Sequence, residues 1–82
     1  MHHNALKRQQ ILEILYAVLE TKPTQGWLAD TKLKEAFEGD DIQFGLSVLI
    51  DLGQVKRHGY KLSITGSGVV ACEAALQQET QG

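Results

Sequence analysis

The sequence predicts a small α+β domain in which three helices precede a two-stranded hairpin at residues 54–65 and a closing helix follows it. Three observations predict this. Apolar residues recur at helical spacing from Leu6 to Thr21. Gly39 and Gly53 punctuate the next two periodic runs. Tyr60, Leu62 and Ile64 alternate with polar residues immediately after Gly59.

The first helix carries one apolar line at Ile11, Ile14, Leu15 and Val18 and a second at Leu12, Tyr16 and Leu19. Together they cover about half the circumference, more than a single core requires. The surplus packs either under the closing helix or against a partner. Pro23, which has no amide hydrogen to continue a helix, and Gly26 mark the loop that follows. Trp27-Leu28-Ala29 is apolar and short, and reads as a brief edge strand or a tight approach to the next helix, with Trp27 in the core. Asp30 or Thr31 serves as N-cap of a second helix bearing Leu33, Ala36 and Phe37 and closed by Gly39. Asp40 and Asp41 cap the third helix, where their charge suits the positive end of the helix dipole. Its inward face is Ile42, Gly45, Leu46, Leu49 and Leu52, its outward face Gln43, Phe44, Ser47 and Asp51, and Gly53 provides the left-handed residue past its end. In the last helix, capped from Thr65-Gly66-Ser67-Gly68, Val69, Cys72 and Leu76 share a face, and Ala71, Ala74 and Ala75 permit close approach. Residues 1–4 and 77–82 read as frayed ends of one domain spanning 1–82.

Composition narrows the function classes. The 82 residues are 43% hydrophobic and 22% charged, as in ordinary globular domains. No apolar run reaches the roughly 20 residues of a membrane span and no leader pattern opens the chain, so a soluble, cytoplasmic protein is expected. A lone cysteine, Cys72, excludes an internal disulfide, and among Val, Ala and Leu it reads as an inert core thiol. His2 and His3 lack nearby partners for a metal. Gly66-Ser67-Gly68 lacks the lysine of a phosphate loop. No enzyme, metal or cofactor is expected. The net charge of −2 is unevenly spread: residues 30–51 hold six acids against two lysines, whereas residues 54–65 hold Lys56, Arg57 and Lys61 and no acid.

Leu49-Ile50-Asp51-Leu52-Gly53-Gln54-Val55-Lys56-Arg57, a leucine-glycine helix stop before a basic strand, leads to Tyr60-Lys61-Leu62-Ser63-Ile64-Thr65-Gly66-Ser67-Gly68, a strand running straight into a helix. With the order of elements, this resembles the winged helix-turn-helix superfamily over nearly the whole chain. The resemblance implies a third helix in the major groove and a hairpin wing on the DNA backbone. Carried over, the base readers are Gln43, Phe44 and Ser47, and the wing contacts are Lys56, Arg57, His58 and Lys61, with Tyr60 supporting the wing tip. A small DNA-binding transcriptional regulator is the expectation, as a homodimer through the first and last helices. The third helix argues for the alternative, a winged-helix protein-interaction module that leaves DNA alone. It opens on two acids, no Lys or Arg lies between Glu35 and Gln54, and Phe44 projects from its polar side.

Overall fold

The computed structural model describes residues 3–38 and 40–81, with side chains for 4–38 and 40–77. The chain forms α1 (His3–Thr21), β1 (Leu28–Ala29), α2 (Asp30–Ala36), α3 (Gln43–Asp51), β2 (Val55–His58), β3 (Lys61–Ile64) and α4 (Gly66–Gln81). The expected α+β architecture of three helices, hairpin and closing helix is present. The strands form one antiparallel sheet in the order β1-β3-β2. Trp27-Leu28-Ala29 therefore contributes an edge strand, with Leu28 opposite Leu62 and Ala29 opposite Lys61.

One apolar core joins every helix to the inner face of the sheet. Ile11, Leu12 and Leu15 of α1 meet Leu33, Leu46, Leu49, Val55, Leu62, Ile64 and Cys72, all buried. Most of the broad apolar face of α1 is used within the chain, since α1 packs on α3, β3 and α4, while Ile14 and Val18 stay half-buried beside a surface groove. Leu33 is the one buried residue of α2. Burying such a side chain contributes about 2 kcal/mol, which is most of what holds so short a helix in place. On the α1–α4 seam the Tyr16 hydroxyl donates to Glu73 Oε2 at 2.7 Å. That bond to a carboxylate, more than burial or charge, pushes the phenol up to about 12.

Several local expectations need correction. The N-cap of α2 is Ala29, and Asp30 is its first helical residue, drawn away from capping by Arg57. The left-handed residue after α2 is Glu38, at φ 56°; Gly39 lies outside the described residues. Leu52, expected in the core, is 58% exposed, because α3 stops at Asp51 and the chain reverses at Gly53, φ 77°. Trp27, also expected in the core, is 41% exposed: a strand alternates its faces, and Leu28 takes the inward position. Helical backbone of α4 continues to Gln81, through residues that composition assigned to a tail.

Thr65 joins four elements. Its hydroxyl accepts from Gly68 N at 3.1 Å, capping α4, and donates to the Gly53 carbonyl at the end of α3. Its amide donates to Gln54 O at 3.0 Å, just before β2. Gly68 is needed there for space: a Cβ would strike the Gln54 carbonyl and come within 2.6 Å of Ile64 Cγ1. The first turn of α4 thus lies directly against the root of the hairpin.

Candidate nucleic-acid interface

The hairpin is built on a two-residue loop, Gly59-Tyr60, with left-handed backbone at Gly59 only (φ 61°), as in a type II′ turn. It leaves α3 after the Gly53 reversal and returns into α4, while β1 pairs along its far side. The arrangement is of the winged-helix type. The β2–β3 hairpin is its wing, and α3 occupies the place of the reading helix. Comparison with protein-family models, with curated proteins and with solved structures found no match.

The pleat divides the wing's basic residues between two faces. Lys56 pairs with Ser63 and His58 with Lys61 on the solvent side, whereas Arg57 pairs with Leu62 on the side facing the helices. Arg57 is engaged there. Its Nη2 meets Asp30 Oδ2 at 2.6 Å, and its Nε donates to the Gly59 carbonyl at 3.0 Å. Because Asp30 N also donates to Tyr60 O at 2.8 Å, the first residue of α2 grips the wing tip twice. Arg57 is thus a clamp within the fold.

The solvent face holds a shallow concavity of about 530 Å³. Lys56, His58, Lys61 and Ser63 form its floor, and Trp27 and Pro23 stand at its α1 side. Lys61 Nζ lies 4.3 Å from the centre of the Trp27 ring, and Tyr60 meets that ring edge-on at 6.5 Å and 89°. A cation over an indole face is a favourable contact worth about 0.5–1 kcal/mol where exposed. Among the described residues no acid lines the concavity, and neither Lys56 nor Lys61 belongs to an ion pair. The charge is available to an anion.

Gln43, Phe44 and Ser47 are all exposed on α3, as their spacing predicts, with Phe44 at 60%. None of them lines the concavity, so the sequence-predicted residues occupy two separate places, with Arg57 at neither. The N-cap position of α3 is held by Ile42, not by Asp40 or Asp41 as the sequence predicts, although Asp41 Oδ1 accepts from Gln43 N at 2.9 Å from one position earlier. Lys7, reaching over from α1, lies 3.7 Å from Asp40 Oδ2 and donates to Asp41 O at 3.1 Å. A cation absent from the sequence of α3 is thus supplied by another helix.

Sequence reasoning placed Trp27 in the core and missed Asp30 as a part of this region. Alternation through the edge strand Trp27-Leu28-Ala29 is the signal that could have turned Trp27 outward. Nothing local marks Asp30. Cys72 is fully buried, and burial, ahead of the Glu13 and Glu73 charges, pushes its thiol up despite a hydrogen bond from Gln9. A raised thiol is a poor nucleophile at neutral pH. Among the described residues no cluster of His, Cys, Asp and Glu suits a metal, and no helix is long and apolar enough to cross a membrane.

Proposed function

We propose that this chain is a DNA-binding winged-helix protein, a small transcriptional regulator, whose affinity comes mainly from its wing. The observation that carries this reading is the set of Lys56, His58 and Lys61 on one solvent face with no acid beside them. Phosphate contacts by such side chains release counterions, so binding weakens linearly in log–log form as salt rises. Titration of duplex DNA between low and physiological salt tests it: binding at low salt with a negative salt slope supports the reading, and no binding at low salt overturns it. On this reading the chain is not an enzyme and works in the cytoplasm.

Pairing as a homodimer would add the contacts of two weak modules. It is supported by the apolar groove that Ile14, Ala17 and Val18 form beside Leu28, and by Val70, exposed on α4. Sedimentation that stays monomeric at all concentrations would remove this element. The second reading, a protein-interaction module, is favoured by Phe44, a large apolar side chain exposed on a helix flanked by acids. A partner captured by the parent but lost with Phe44→Ala, in a chain that ignores DNA, would establish it instead.

A further inference from the structure

The wing's solvent face combines two features that a backbone-contacting hairpin does not need together: lysines outside any ion pair and an aromatic ring beside them. Lys56 lies opposite Ser63, two positions along β3 from Lys61, so the two lysines are diagonal neighbours about 7–8 Å apart, a step close to that between successive phosphates of an extended nucleic-acid strand. Trp27 stands next to this pair with 41% of its surface exposed, and the Lys61 ammonium lies over its ring. A half-buried lysine on an indole is held less firmly than one hydrogen-bonded to an anion, so a phosphate draws it away. That movement would free the ring for a flat, unsaturated group. The concavity is of a size that holds a small-molecule group, about 300–1,000 Å³.

We propose that this face binds an unpaired nucleotide of single-stranded DNA, with its base on Trp27 and its flanking phosphates at Lys56 and Lys61. The inference rests on the DNA-binding reading above and names the form of DNA that the sheet face selects. A duplex keeps its bases stacked on one another and offers this face only backbone, leaving Trp27 without a partner. An unpaired strand satisfies both features, since aromatic stacking takes any base. An acidic peptide without aromatic residues would satisfy the lysines but brings no ring for the indole.

Trp27 is the only tryptophan of the chain, so its fluorescence reports on this site alone. The test titrates the full chain with an oligothymidylate of about ten nucleotides, within the range such sites span. A mixed-sequence duplex of equal length and an oligoglutamate of equal charge are run in parallel. Affinity is read separately from the anisotropy of labelled ligands, and far-UV circular dichroism verifies that each variant is folded. The expected result is tighter binding of the single strand than of duplex or peptide, with quenching of Trp27. Trp27→Ala then lowers single-strand affinity about tenfold, in line with the loss of one stacked base. Trp27→Phe, which keeps a ring in the same place, retains it within about threefold. Single-strand binding without quenching, a Trp27→Ala chain that binds it as well as the parent, or equal binding and quenching by oligoglutamate each overturns the inference. If duplex binding survives those results, the DNA-binding reading stands without the inference; if neither form of DNA binds, both fall.

Discussion

The outward face of α3 and the solvent face of the wing both meet solvent, yet their chemistry differs. Gln43, Phe44, Ser47 and Asp51 carry no cation; of the α1 cations that approach the helix, Lys7 is occupied with Asp40 and the Asp41 carbonyl, and the Arg8 stem lies against Gly45. The wing face has Lys56, His58 and Lys61 with no acid and an aromatic ring at its edge. The difference teaches that place in the fold and charge are set separately. On the function proposed above, affinity for a polyanion follows the unpaired charge of the sheet rather than the position of α3.

Altering the two faces separately breaks or sharpens this contrast. The double variant Lys56→Ala/Lys61→Ala is expected to lower DNA affinity about 100-fold at low salt and to reduce the salt slope by about 2, one unit for each lost phosphate contact. Gln43→Ala/Ser47→Ala should remain within about threefold of the parent. The reverse order of the two, measured by the same titrations, would move the interface to α3.

Next in size is Gly68→Ala, which forces a methyl group onto the root of the wing. Overpacking against backbone costs about 2 kcal/mol, to be read as a lower midpoint in urea unfolding. The equivalent change at Gly66, where a Cβ meets open space, should be near neutral. Arg57→Gln comes third. Loss of its partly exposed pair with Asp30 should cost about 0.5–1 kcal/mol of stability. Because Arg57 serves the fold, the salt slope of DNA binding should stay unchanged, in contrast to Lys56, its immediate neighbour.

The smallest effect belongs to the α1–α4 seam, outside both faces. The Tyr16 phenol is raised from 10.0 to about 12 in the folded chain. Its contribution to stability is therefore complete below pH 10 and is lost as pH rises from 10 toward 12, where the unfolded chain gives up the proton first. Tyr16→Phe should flatten that part of the stability profile, measured as the difference between variant and parent, without changing DNA binding near neutrality.

These contrasts also mark where the sequence was readable. Periodicity over sixteen residues made α1 plain, and Gly53 and Gly59 marked the two reversals that hold the wing because only left-handed backbone closes them. Gln43, Phe44 and Ser47 were legible as an outward face for the same reason. Trp27 was not, since a two-residue strand is too short to display a period of two, and an indole in an apolar triplet looks like core. Lys56 and Arg57 are indistinguishable as adjacent basic residues. The pleat sends them to opposite faces, and the burial of Val55 and Ile64 decides that Lys56 meets solvent and Arg57 meets Asp30. Gly68 resembled a flexible cap residue, whereas its role is steric and depends on a carbonyl fourteen positions earlier in the chain.

The double hold of Asp30 on the wing tip has a dynamic consequence. Hairpin tips in small domains ordinarily fray on their own, so their amides exchange with solvent early. Here the Asp30 amide is bonded to Tyr60 and its carboxylate to Arg57, so separating the tip also undoes the first turn of α2. In hydrogen exchange the Asp30 amide and the wing-tip amides should then form one opening unit, with a common free energy and a common response to denaturant.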